Sequence, residues 1–144
     1  MKKPTTIDWA RLAAYIDGEG CISLARHRNV YMAVRVTIFN TDKRLIEWLG
    51  EHFGGHVVVR RSKNIRHKTG YGWCVSSKAA AYVIRNCHPY LILKKEQANV
   101  ALDFISTISN AISNNADLVH ERRNIRDNML SEMHRLNCKG NKVA

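Results

Sequence analysis

Glu19 stands between Gly18 and Gly20, at the end of the run Leu12-Ala13-Ala14-Tyr15-Ile16-Asp17-Gly18-Glu19-Gly20. The two glycines free the backbone around this acid and present it where a helix stops. Its setting is basic. The 144 residues include 23 Lys and Arg against 12 Asp and Glu, a formal net charge of +11. Between Arg26 and Lys68 stand ten of these cations and three acids, Asp42, Glu47 and Glu51. That excess points to a polyanion, nucleic acid or an acidic membrane surface, as partner. A bare acid on such a surface repels phosphate. Phosphodiester cleavage supplies a reason for one, because a divalent cation activates water and stabilises the leaving oxygen, and Mg²⁺ prefers carboxylate oxygens.

Other chemistries find little support. Cys21, Cys74, Cys87 and Cys138 form no C-x-x-C pair, and the seven histidines form no H-E-x-x-H pattern, so a zinc site is not expected. Scattered thiols fit a reducing, intracellular setting. No run approaches the roughly eighteen apolar residues of a membrane span. The start, MKKPTTIDWA, has lysines but no apolar run behind them, so a secretory signal is not expected. The basic residues sit mostly in strand-like segments rather than on one helical face, which favours nucleic acid over a membrane surface.

The elements that must position Glu19 follow from periodicity. Ile7 to Asp17 has Trp9, Leu12 and Ile16 on one helical face, with Thr5 or Thr6 as cap, and Gly18-Glu19-Gly20 stops it. Cys21 to Arg26 and Val30 to Phe39 alternate around a turn at 27–29, a hairpin. Thr41 is placed to cap a helix ending at Gly54-Gly55. HVVVRRS and GYGWCVS form a second hairpin with a longer basic tip, and Ser76 or Ser77 caps the helix ended by His88-Pro89. A long helix from Leu91 to about Ile112 and a last one from Ala116 to Asn137 complete the order α-β-β-α-β-β-α-α-α. This predicts one α+β domain over 1–144, with a core of about 7–112 and a C-terminal helical region of about 116–138. Its four-stranded, largely antiparallel sheet carries the helices on one face.

The other sheet face then meets the partner. Met32, Val34, Val36 and Ile38 alternate toward the helices, leaving Tyr31, Ala33, Arg35 and Thr37 outward. Val57 and Val59 suit the core, with His56, Val58 and Arg60 outward, a phase left open because Val58 is apolar too. Outward strand residues and basic hairpin tips can enter a DNA major groove. The DNA-contacting set expected on this basis adds Ser23, Arg26, His27, Arg28, Arg61, Lys63, Arg66, Lys68 and Cys74.

The opening helix has a second peculiarity. Ala10, Ala14 and Gly18 recur every four residues, with Ala13 beside them. Small residues at that spacing let another helix approach closely. On spacing alone an ordinary core helix accounts for them. A presented acid at their end favours the same helix of a second copy, an isologous dimer that brings two carboxylates together. Ala10, Ala13, Ala14, Asp17 and Gly18 are the expected interface.

Leu12 to Gly20 resembles the signature of the LAGLIDADG homing endonucleases, in one copy per chain. The element order after it is similar to theirs, as is Pro89 to Asn99 (PYLILKKEQAN), and Asn40-Thr41-Asp42 with Leu45-Ile46 resembles the start of their second helix. The likeness covers roughly residues 8 to 110. It implies a homodimeric endonuclease that cuts both strands of a long, near-palindromic DNA site with Mg²⁺, with Mn²⁺ substituting and Ca²⁺ supporting binding without cleavage. Glu19 would bind the metal with the Gly18 carbonyl, and Lys94 would take the active-site lysine position. Asn40 would organise water. Arg44 would be the basic pocket residue, with Lys43 as competitor, and Asp17 would cap the paired motif helix across the interface. Intron or intein mobility is the implied setting, inside the cell and on DNA. The alternative within the resemblance is an intron maturase acting on RNA, or a binding regulator without catalysis. Three positions depart from the common pattern. Alanine replaces the motif's third-position glycine, Glu19 replaces Asp, and Asn40 is shorter than the usual Gln.

Overall fold

The computed structural model describes residues 2–27, 31–109 and 116–138. The chain begins with α1 (Thr6–Glu19), then β1 (Gly20–His27) and β2 (Tyr31–Asn40), α2 (Lys43–Phe53), β3 (His56–Arg60) and β4 (Gly70–Ser76). Helix α3 (Ser77–Cys87), a single 3₁₀ turn (His88–Tyr90), α4 (Lys95–Ser109) and α5 (Ala116–Asn137) complete it. All strand pairs are antiparallel, in the order β1-β2-β4-β3.

Local chemistry sets the helix ends. Thr5 caps α1 reciprocally with Asp8: the Asp8 N–H donates to Thr5 Oγ1 at 3.3 Å and the Thr5 N–H to Asp8 Oδ2 at 2.8 Å. Asp42, not Thr41, caps α2, its Oδ1 accepting from the Arg44 N–H at 3.0 Å. Helix α1 runs on through Glu19 instead of stopping at Asp17, and α4 starts at Lys95 rather than Leu91. Helix α1 ends where Gly20 enters β1, and ahead of α4 the N–H groups of Ile92, Leu93 and Lys94 turn to the Asp17 carboxylate.

Trp9, Leu12 and Ile16 of α1 pack on Ile22, Leu24, Val34, Val36 and Ile38 of the sheet. Ile46, Leu49 and Phe53 of α2 and Ala80, Val83 and Ile84 of α3 extend this core, and Trp73 lies fully buried at its centre. Its Nε1 donates to the Gly54 carbonyl at 2.7 Å, tying the α2–β3 turn to β4. Helix α5 closes the far side: Met133 is buried, and Asn137 Nδ2 donates to the Ile22 carbonyl at 2.8 Å.

One strand departs from expectation. Val57 and Val59, expected in the core, are 49% and 51% exposed, much like Val58 at 47%. β1 is an edge strand too, but α1, α4 and α5 cover its inner face; β3 lies at the opposite edge, where α2 covers it only in part, so neither parity of its residues is buried.

Candidate active site

The end of α1 is locked to the sheet by a glycine. A Cβ on Gly20 would lie 2.7 Å from Ile16 Cα and 3.2 Å from the Thr37 carbonyl oxygen. Helix and strand therefore meet backbone to backbone, and Glu19 emerges at the sheet's end with its side chain exposed. Asn40, the last residue of β2, reaches it there. Asn40 Nδ2 donates to Glu19 Oε2 at 2.6 Å, and Asn40 Oδ1 accepts from the Asp42 N–H at 2.7 Å. The second bond fixes which way the amide faces, so its NH₂ group must point to the acid. Glu19 is thus oriented through one oxygen, while Oε1 has no hydrogen-bond partner among the described residues.

Asp17 has a different task from the one expected. Its Oδ2 accepts from the Ile92 N–H at 2.8 Å, and its Oδ1 from the N–H groups of Leu93 at 3.1 Å and Lys94 at 3.0 Å. These are donors just ahead of α4 that no helix bond satisfies. A carboxylate there also suits the helix dipole. Asp17 therefore caps its own chain rather than a partner's helix. Lys94 Nζ closes the arrangement by donating to the Asp17 carbonyl at 3.0 Å. Two sequence segments 77 residues apart thus place a half-buried ammonium two residues from Glu19 along the motif.

Arg44 and Lys43 are occupied. Arg44 holds Asp42 through two bonds, Nε to Oδ1 at 3.0 Å and Nη2 to Oδ2 at 2.6 Å. This contact, with the cap bond, holds the Asp42 carboxyl down at about 2 and raises the Arg44 guanidinium. Lys43 Nζ pairs with Glu47 at 2.6 Å. Asn40 ends β2 whereas Arg44 stands in the first turn of α2, so the two side chains leave from different elements.

The outward sheet face follows from register. Ser23, Arg35 and Ser76 form one cross-strand row, and Thr37 and Cys74 with His56 form the next. Phe39, Gly72 and Val58 make a third row, with Arg60 opposite Gly70 beyond it. Desolvation pushes the Cys74 thiol up, so it stays a neutral group on this face. Arg61, Lys63, Arg66 and Lys68 lie exposed in the loop between β3 and β4, where Ser62 and Asn64 make turn bonds to the N–H groups of Asn64 and Arg66. None of these loop cations, nor Arg35 or Arg60, has an acidic partner among the described residues.

Arg26 does not belong with them. It shares the parity of Ile22 and Leu24, on the helix side, where its Nη2 pairs with Asp127 of α5 at 2.6 Å. Arg28 lies outside the described residues; His27 and Tyr31 oppose each other in register, their side chains likewise outside. Phe39 was missed as a surface residue, although the alternation of Ala33, Arg35 and Thr37 reaches it at the next step.

The small-residue stripe divides. Ala13 is fully buried in the protomer's own core, so it is removed from the expected interface, and Ala10 is half-buried. Ala14 and Gly18 are exposed, as is Ile7 on the same stripe. A Cβ on Gly18 would meet nothing within 4 Å. Packing within the protomer therefore gives no reason for glycine at 18, in contrast to 20. Beside Asp17, Ile92 and Leu93 are 82% and 71% exposed.

No protein-family model and no curated protein sequence matches the chain. Solved structures do. The homing endonuclease I-CvuI, crystallised with its target and Ca, aligns with a TM-score of 0.68 at 18% identity, over 96% of this chain and 87% of that one. The archaeal intron-encoded homing endonuclease I-Vdi141I, complexed with DNA, gives 0.70 at 15% identity, over 96% and 89%. The LAGLIDADG homing endonuclease I-SmaMI, bound to cleaved DNA, gives 0.58 at 16% identity, where 97% of this chain covers only 45% of that one. The chain has the fold of the LAGLIDADG homing endonucleases.

Proposed function

We propose that this chain is one protomer of a homodimeric, Mg²⁺-dependent endonuclease that hydrolyses both strands of a long, near-palindromic DNA site inside the cell. The reading rests on Glu19, an exposed carboxylate fixed by Asn40 at the edge of a sheet face whose cations lack acidic partners. The DNA complexes among the neighbours of like fold support it. Two copies meeting along Ile7, Ala14 and Gly18 would use the open space at Gly18 and bring both Glu19 carboxylates toward one axis.

The donor set fits a hard cation. Among the described residues no group of three metal-ligating side chains gathers, and Asp17 is spent on three N–H groups. A Mg²⁺ site of this kind uses one or two carboxylates with phosphate and water, not a full protein cage. Glu19 and the Gly18 carbonyl would hold the ion. When bound, it supplies positive charge to the scissile phosphate and a more acidic water.

The chain's own groups do the rest. Asn40 holds Glu19 in one orientation, and its second amide N–H is available to a water. Lys94, held by Asp17, brings an ammonium to the same end of the helix, where it offsets charge building on the phosphate. Arg35, Thr37 and Arg60 reach base edges, while the 61–69 loop holds phosphates and fixes the register of the duplex.

Replacing Glu19 with Gln tests this directly. With Mg²⁺ and a cleavable duplex selected from a random pool, cutting is expected to fall by at least about a thousandfold while binding in Ca²⁺ is unchanged. Equal cutting by both proteins, or no cutting by the native chain on any pool member, would remove the assignment.

A further inference from the structure

Phe39 is exposed on the outward sheet face, a ring beside Val58 on a surface that also carries Arg35, Thr37 and Arg60. Two neighbours explain its setting. Below it lies Gly72, its cross-strand partner, where an added Cβ would come within 2.5 Å of Phe39 Cε1. One edge of the ring, Cδ1 and Cε1, therefore takes the place a side chain at 72 would occupy, and any such side chain would displace it. Above it, the Arg60 guanidinium carbon sits 4.3 Å from the ring centroid. Arg60 comes from β3, an edge strand exposed on both faces, and no acid holds it among the described residues.

A long side chain on such a strand has many rotamers, and fixing it costs entropy on binding. Stacking on a ring removes most of that freedom in advance while leaving the guanidinium's N–H edges unspent. Those edges match the paired acceptors, O6 and N7, that guanine shows in the major groove. Phe39 also directly precedes Asn40, whose amide holds Glu19. The platform is thus joined through one residue to the carboxylate of the candidate centre.

We propose that Phe39, seated on Gly72, is a positioning residue that presents Arg60 to one guanine in each half of the bound duplex. This deepens the endonuclease reading and rests on it. Phe39 itself reads no base; it sets the selectivity of the arginine it carries. Three requirements follow: a ring at 39, no side chain at 72, and a planar guanidinium at 60.

The test is selection of bound duplexes from a randomised pool in Ca²⁺, which keeps readout apart from cutting. The native chain, Phe39→Leu, Phe39→Trp, Gly72→Ala and Arg60→Lys are compared, with thermal melts to confirm folding. One position per half-site is expected to show a guanine preference of about ten- to a hundredfold in the native chain. Arg60→Lys should abolish it. Phe39→Leu and Gly72→Ala should each cut it about tenfold, leaving preferences elsewhere intact, and Phe39→Trp should retain it. A Phe39→Leu profile equal to the native one, or one weakened evenly at every position, overturns the proposal. If the native chain selects duplexes but Arg60→Lys changes no position, the proposal alone falls. If it selects no duplex at all, the endonuclease reading falls with it.

Discussion

The end of α1 and the outer hairpin of the sheet are built on opposite plans. At the end of α1 nearly every polar group has a named partner: Glu19 on Asn40, Asn40 on the Asp42 N–H, Asp17 on three N–H groups, and Lys94 on the Asp17 carbonyl. On β3 and the 61–69 loop the polar groups are exposed, and their cations have no acidic partners among the described residues. The first arrangement suits chemistry, which loses rate quickly when reacting groups shift by an ångström. The second suits a long polyanion, whose phosphates tolerate adjustment and whose counterions are released by loose, unpaired charges. A substitution at the first region should therefore alter cutting, and one at the second should alter affinity.

Lys94→Met makes the sharpest contrast after Glu19. It keeps most of the length of the side chain and removes its charge, with the three backbone bonds to Asp17 untouched. Cutting under single-turnover conditions should fall about a hundredfold, with the affinity for the same duplex in Ca²⁺ changed by less than about threefold. A loss confined to affinity would place Lys94 with the unpaired cations of the 61–69 loop instead.

Asp17→Asn acts on the scaffold beneath. The amide puts an NH₂ where one of the carboxylate oxygens faces backbone donors, so at least one N–H before α4 loses its acceptor. Urea unfolding should show a loss of about 2–3 kcal/mol. Because Lys94 is placed by the same contact, cutting should decline further than binding. Unchanged stability would mean that water replaces the carboxylate without cost.

Single alanines at Lys63, Arg66 and Lys68 belong to the other region and should do less. Each should weaken binding a few-fold, evenly across sequences, and lower the slope of log affinity against log salt by about 1. A change confined to one base position would instead give that residue a readout role.

The two regions also differed in how far the chain announced them. Strands β1, β2 and β4 are read from alternation because helices cover one of their faces, and Ile22, Leu24, Val34, Val36 and Ile38 are buried as that period requires. Strand β3 is not, since it lies at the edge away from α1, α4 and α5 and its valines of either parity stay exposed. Glu19 between its glycines was visible as a presented acid. Its bond to Asn40 depends on where β2 ends, which periodicity fixes only to within a few residues. Asp17 was read as an interface residue because nothing local shows that Ile92, Leu93 and Lys94 fold back onto it from 75 or more positions away. Arg26 was assigned by charge, whereas its parity with Ile22 and Leu24 already placed it on the helix side. Ala13 and Ala14 are adjacent and alike in sequence, and only the direction of the apolar face of α1 separates the buried one from the exposed one.

The smallest expected effect lies between the two regions, at Asp42, which caps α2 and holds Arg44. Its carboxyl is lowered to about 2 in the folded chain from an ordinary 3.8. A lowered folded value means that the unfolded chain takes up the proton first as pH falls, so the contribution is fully present above about pH 4 and disappears toward about pH 2. Asp42→Asn isolates this, because asparagine caps a helix about as well as aspartate but carries no charge for Arg44. In low salt the native chain should melt slightly above the variant, by a constant margin from neutral pH down to about pH 5, and the margin should close between about pH 4 and pH 2. Added salt should shrink it at every pH, since both side chains are exposed to solvent. A margin that persists unchanged at the lowest pH would show that the cap geometry, rather than the Asp42–Arg44 charge pair, separates the two proteins. Arg44 would then be free to turn toward the duplex at no cost in stability.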